Sequence, residues 1–394
     1  MSHFFRENIL RDILYIIFGT VVLTLAIWVP HFLRLNNFYN LDFSAGFNTI
    51  YRNYDGINYV VIAKTFYYPD LIVNLPQSLP TNYYAAHFPG YPILISVFAL
   101  FMGYLKAMLF VPLLFTILSA LSFYFLVKNF RLTDHPLILS LIFLILPARW
   151  LIVHSVGSPE PIFIFFTILS LYFFMKFEQV SKFNNIILAG IFGFFAQLIR
   201  PPGILLFIAY SIYILFLIIK TKEHNIFQRF INAVMRYYTL LLIPSALILI
   251  FSWYAHSYGN FFAYFNSGDN IHLAFPPFQV FNINEYWVGS IWLEDIIYIF
   301  LVALFGGFLL FKKGLLPLAF YVFVYLGATM MVSHRDISRY ILPVFPFVLI
   351  AFEKALTSKE FKLALIIVAL GIYLYSQNFI LQNTAPVPNL EIFD

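Results

Sequence analysis

Asp55 stands in the run Tyr54-Asp55-Gly56-Ile57-Asn58-Tyr59, a carboxylate on a long polar stretch between apolar segments. A carboxylate so placed can take the proton of an attacking hydroxyl, the work of a general base. It can equally cap a helix, because Asp followed by Gly and an amphipathic run is a helix-start signal. Downstream stand Glu160, Arg200, Arg335 and Arg339. Arginine offers a planar fork of donors matched to phosphate oxygens, so any of these three could meet a phosphate. Snorkelling to lipid headgroups is the competing role for each, and Arg335 also has Asp336 beside it as a partner. Glu160 could orient an acceptor, or it could serve the positive end of the helix that follows it. Lys64 and Arg52 could meet phosphate or an anionic acceptor, although loop cations are usually solvated. His87 could donate a hydrogen bond to sugar or phosphate. His87, His154 and His334 show no acid-plus-His spacing on one element, so no metal site is expected from them.

The elements that must position these residues follow from composition. Hydrophobic residues make up 62% of the 394 and charged residues 10%, with Phe alone supplying 50. Soluble chains carry about 25% charged residues, so the fold class expected is an all-α polytopic membrane protein. The first apolar run, about 13–33, can cross roughly 30 Å of hydrocarbon. It has no small-residue cleavage site and reads as an uncleaved anchor. Further spans are expected near 107–128, 136–152, 159–176, 185–199, 202–220, 237–256, 290–311, 315–332, 339–353 and 362–381. The run 91–103 is too short to span and is expected to lie in the interface or dip part-way. That makes about eleven spans within one unit, 1–394, with no separate soluble domain.

With the N-terminus cytoplasmic, most of the 23 Lys and Arg fall on the cytoplasmic side, as the positive-inside rule asks. The acids run the other way. The C-terminus is then extracytoplasmic, and the cell membrane is the expected location. Two sizeable outer loops remain, 34–91 and 257–289, both rich in Tyr, Phe, Asn and Pro. Aromatic residues there form a headgroup-level belt or, at Tyr83, Tyr84, Phe88 and Tyr91, a platform for sugar rings. The spacing Asp55, Tyr59, Ile62, Ala63, Phe66 predicts a juxtamembrane helix with these side chains on one face, lying along the membrane surface.

Several classes are excluded or disfavoured. Cysteine is absent, so no disulfide or Cys-based metal site exists. The chain has no Asn-x-Ser/Thr sequon, no basic stripe for nucleic acid, and no P-loop or Rossmann glycine pattern for a soluble nucleotide sugar. A transporter would show internal repeats and mid-span charges, and neither is evident. A lipid-linked polysaccharide ligase or polymerase remains an alternative, with His334-Arg335 on an outer loop.

The run Tyr54-Asp55-Gly56, Tyr59, Ile62-Ala63 and His87-Phe88-Pro89-Gly90-Tyr91-Pro92 resembles the first outer loop of GT-C glycosyltransferases, most of all the PIG-V-like mannosyltransferases. Ser158-Pro159-Glu160-Pro161-Ile162-Phe163, Ile199-Arg200-Pro201-Pro202-Gly203 and Arg339-Tyr340-Ile341-Leu342-Pro343 with Phe345-Pro346 fit the same template in the same order. Gly90 departs from it, standing where a bulky apolar residue is usual, and Gly56 follows Asp55 where related enzymes often have Glu. The resemblance implies a GT-C-like bundle that moves a hexose, mannose in the PIG-V group, from a polyprenyl-phosphate carrier to a glycan, glycolipid or protein acceptor outside the membrane. On it, Asp55 is the base, Arg200, Arg339 and Arg335 bind the donor phosphate, and Tyr59, Glu160, His87, Tyr91 and Lys64 contact sugar or acceptor. The resemblance leaves a divalent metal open as a cofactor, since some GT-C enzymes use one, although Asp55 has no second acid near it in sequence.

Overall fold

Each expected span is helical in the computed structural model, which describes residues 2–36, 38–76, 79–221, 225–268, 273–289, 293–387 and 389–393. Among the described residues seven helices are long and apolar enough to cross a membrane, including Tyr104–Asn129, Glu160–Val180 and Lys359–Gln382. Phe183–Ile199 and Leu316–Met330 are shorter apolar helices. Two expected spans are broken. Pro147 divides one into Pro136–Phe143 and Ala148–Val153, and Pro343 and Pro346 divide another into Ile337–Tyr340, Leu342–Val344 and Phe345–Ala351. Proline lacks the N–H that would continue each helix. Broken backbone at membrane depth persists only where protein buries it or a wet cavity borders it. Here both breaks lie beside the candidate site. Among the described residues β-structure is limited to isolated bridges.

The bundle has two distinct ends. At one, the Asn53 side chain donates to the carbonyl of Ile380 at 2.7 Å and the Ala385 amide donates to that of Arg52 at 2.8 Å. The first long loop and the C-terminal segment therefore share an end. At the other, Tyr124 donates to Asp12 at 2.8 Å, and Tyr213 and Tyr237 donate to Glu178 at 2.7 and 2.8 Å. The Gly90–Met102 helix, at 1.5 Å per residue, is about 20 Å long and falls short of a crossing.

The expected juxtamembrane helix forms as Gly56–Thr65, but it does not lie on the membrane surface with one face down. Ile57, Tyr59, Val60, Val61, Ile62 and Ala63 are all buried, so nearly every side is covered. Gly90–Met102 covers part of it, with the Ser96 hydroxyl donating to the carbonyl of Ala63 at 2.8 Å. A second difference is the helix Ile226–Tyr237, which falls in a stretch expected to be a loop. Its Ile226, Phe227, Phe230, Ile231, Val234 and Met235 are exposed along one face, while Arg229 turns inward to the carbonyls of Ile218 and Thr221. That arrangement suits a helix lying in a membrane interface.

Candidate active site

The turn that carries Asp55 joins the short helix Asn48–Tyr51 to Gly56–Thr65. Asp55 occupies the N-cap position, yet its side chain makes no capping hydrogen bond. The carboxylate instead faces Arg339, whose Nη1 lies 3.4 Å from Oδ2, and it stays about one-third exposed at 34%. The capping role open to it in the sequence is thus not the one its side chain takes.

The turn can approach the bundle because its neighbours lack side chains. A Cβ added to Gly157 would meet Met108 Cγ at 2.8 Å and the Gly56 Cα at 3.0 Å. Small residues of this kind let backbones close on one another in a membrane bundle. The contact sets Asp55 against the segment Gly157–Glu160. Gly90 has a similar constraint, since a Cβ there would sit 2.8 Å from the carbonyl oxygen of Leu198. The bulky residue usual at that point of the GT-C template would displace the chain just before Arg200.

Glu160 opens the Glu160–Val180 helix and is fully buried. Arg339 Nε donates to its Oε1 at 2.7 Å, and Arg200 Nη1 approaches the same oxygen at 3.3 Å. Arg200 is held extended at φ −147° and ψ 145° between two helices. Pro201 imposes this, because the residue before a proline is driven out of the helical region. Arg339 sits on the short helix Ile337–Tyr340, and its guanidinium stacks 4.1 Å from the centre of the Tyr54 ring. Two arginines share one buried carboxylate, leaving an excess positive charge that faces Asp55. Burial, then the nearby charges of Asp55 and Glu160, raise the Tyr59 phenol well above its usual range and keep it protonated.

These groups open on one cavity of about 400 Å³, lined by Asp55, Tyr59, His87, Arg200, Arg339 and Tyr340. Its other walls are apolar, including Phe88, Leu205, Leu247, Phe251 and Phe265. The volume lies in the ordinary range for ligand pockets, with few polar groups set against an apolar lining. His87 packs edge-on to Tyr59 at 5.0 Å. The second outer loop closes one side, with Tyr264 against Phe88 at 5.4 Å and the Asn82 side chain donating to the carbonyl of Asn266 at 2.8 Å.

Five of the residues expected from sequence therefore share the cavity: Asp55, Tyr59, His87, Arg200 and Arg339. Glu160 is fully buried and does not line it; its Oε1 meets both arginines, while Oε2 makes no hydrogen bond among the described residues. Tyr91 sits one layer behind, its ring 4.9 Å from that of Tyr59 and its hydroxyl donating to the carbonyl of Met108. Lys64 points elsewhere, donating to the carbonyl of Ile392 at 3.0 Å and lying 4.7 Å over the Tyr104 ring. Arg335 is exposed and lies 5.9 Å from the Tyr286 ring, outside the cavity. Asp336 does not pair with it. Asp336 pairs instead with Arg149, whose Nε also donates to Ser338 at 3.2 Å and whose guanidinium covers the Phe379 ring at 3.9 Å. Phe379 in turn packs on Tyr54 at 5.5 Å. Sequence reasoning does not single out Arg149; its signal was an arginine inside an expected span, where an unpaired charge is costly. Among the described residues no three His, Asp or Glu side chains gather as metal ligands, and Asp55 is the one carboxylate lining the cavity.

A fold of apolar helices with this site at one end is that of a polytopic, all-helical membrane protein. No protein-family model and no curated protein matches the chain. Among solved structures it is similar to the Archaeoglobus fulgidus oligosaccharyltransferase tethered with an acceptor peptide, at a TM-score of 0.52 and 13% identity. The match covers 95% of this chain and 56% of that one, so the chain spans little more than half of that enzyme's length.

Proposed function

We propose that the protein is a glycosyltransferase that moves a hexose from a polyprenyl-phosphate carrier to an acceptor hydroxyl on the extracytoplasmic face of the cell membrane. The observation that carries the reading is the pairing of one accessible carboxylate with two buried arginines on a cavity whose remaining walls are apolar. A prenyl chain suits such walls, and a phosphate suits the arginines. The acceptor oxygen attacks the anomeric carbon and its proton passes to Asp55. The bond from that carbon to the phosphate oxygen breaks, and its electron pair stays with the phosphate. Arg339 and Arg200 face the charge that develops there, where fixed donors act without reorganising. Direct displacement of this kind inverts the anomeric centre and needs no acid for the leaving group, unlike the paired carboxylates of hydrolases. The charged groups of the bundle lie at helix ends, whereas a transporter would be expected to carry them at mid-depth.

Mannose is the sugar that the PIG-V-like order of motifs favours. The test is purified protein in lipid nanodiscs offered polyprenyl-phosphate mannose, polyprenyl-phosphate glucose and soluble nucleotide sugars, with membrane extract as acceptor. Transfer of mannose from the lipid carrier, lost in Asp55→Asn, is the expected result. Activity with a soluble nucleotide sugar and none with a lipid-linked donor would sink the proposal.

A further inference from the structure

A second cavity lies on the other side of the Asp55 turn. It holds about 600 Å³ between residues 40–52 of the first long loop and the end of the Lys359–Gln382 helix. Its walls carry Asn40, Asp42, Asn48, Arg52, Asn378 and Gln382, and none of its lining residues is aromatic. The side-chain amides of Asn48, Asn378 and Gln382 are exposed on its walls and bond no other described residue, and Arg52 Nε is buried without a partner. Unspent donors and acceptors on one concave surface recognise a ligand dense in hydroxyls. They offer nothing to a prenyl chain, which belongs with the apolar walls of the first cavity.

One stretch of chain borders both cavities. Arg52 lines one and Asp55 the other, three residues apart. Asn53 between them is pinned to the last helix through the carbonyl of Ile380 at 2.7 Å, and Tyr54 packs on Phe379 at 5.5 Å. A chain of sugars in the polar cavity would thus end within reach of the turn that carries Asp55. We infer that this cavity is a glycan subsite, which holds the acceptor of the reaction proposed above and rests on that reading for its role. The subsite binds the neutral, hydroxyl-bearing part of the acceptor; the arginine pair of the first cavity binds the donor phosphate.

The test is binding without turnover, so it is separable from transfer. Full-length protein in nanodiscs is titrated with linear mannotriose and with maltotriose, followed by saturation-transfer NMR of the sugar. At least one triose is expected to bind saturably. Arg52→Ala and Gln382→Ala should each weaken it about tenfold, the loss of a hydrogen bond to a charged or amide donor. Asp55→Asn should bind as the wild type does. Asn48→Ala, at an exposed position, repeats the test if Arg52→Ala fails to fold. The inference is overturned if neither triose binds the wild type, or if binding is indifferent to all the polar-cavity variants. Saturable, variant-sensitive binding in a protein that transfers no sugar would overturn the proposed reaction and leave the subsite standing.

Discussion

Glu160→Gln is the substitution that most directly tests how the site is held. It keeps the shape and an acceptor oxygen for Arg339 but removes the one negative charge shared by two buried guanidiniums. At an effective dielectric near 20, a unit pair attracts by about 6 kcal/mol at 2.7 Å and about 5 kcal/mol at 3.3 Å. Most of that gross attraction offsets the cost of dehydrating three charges. What remains on removing one partner of a buried pair is about 3–5 kcal/mol. The retained hydrogen bond puts this variant at the lower end, about 3 kcal/mol, or a hundredfold or more in the unfolding equilibrium. Detergent-titrated unfolding in mixed micelles, read by tryptophan fluorescence, measures it. Sugar transfer should fall as well, since Arg200 and Arg339 lose their shared anchor and repel each other across the cavity. A variant that unfolds at the wild-type midpoint and transfers normally would refute the assignment of Glu160 as the group that holds both arginines.

Asp55→Asn should divide the other way, losing about 10²–10⁴-fold in transfer rate through loss of the base while unfolding within about 1 kcal/mol of wild type. An equal loss of stability would mean that its contact with Arg339 is structural. Gly157→Val should force Met108 and the Gly56 backbone apart, costing about 1–3 kcal/mol by overpacking; unfolding and transfer measured together should both suffer. Arg149→Ala leaves Asp336 without its buried partner three residues before Arg339, so kcat should fall at least about tenfold, a shift of about 1.4 kcal/mol in the barrier. The Arg149→Lys variant should rescue it only in part, because Lys lacks the planar fork that meets Asp336, Ser338 and the Phe379 ring together. Lys64→Ala should leave transfer within about twofold of wild type, since Lys64 lies outside the cavity lining and its partners Ile392 and Tyr104 do too; a large loss would mean the C-terminal segment it touches belongs to the site.

Part of the candidate site was legible because an apolar chain must hide its charges, so each charge at a helix end demands a reason. That ground left Asp55 open between cap and base and offered Arg335 beside Arg200 and Arg339; the resemblance tipped the first, and the fold leaves Arg335 outside the cavity. The same economy made the apolar helices readable among the described residues, but not the breaks at Pro147 and Pro343 or the helix Ile226–Tyr237. The helix after Asp55 was legible by its spacing, but its burial was not. Amphipathic periodicity shows which side is apolar; it does not show that Gly90–Met102 and the C-terminal segment come to cover the remaining sides.

Which charges meet was a matter of tertiary structure. From sequence, Asp336 belongs with its neighbour Arg335 and Asp55 with its own helix, because proximity along the chain is the only distance available. In the fold, Asp336 reaches Arg149 across 187 positions and Asp55 reaches Arg339 across 284. Glu160 reads as a helix-start acid or an acceptor ligand until two arginines from separate breaks close over it. Those breaks were written as prolines at 147, 201, 343 and 346, but only packing decides which way an interrupted helix turns its side chains. The sequence by itself determined a bundle of apolar helices with its rare charges at the ends, since hydrocarbon admits little else. The three-dimensional packing decided which of those charges became a site and which became supports. Glycine-to-glycine approach and ion pairing between distant segments leave no periodic trace along the chain.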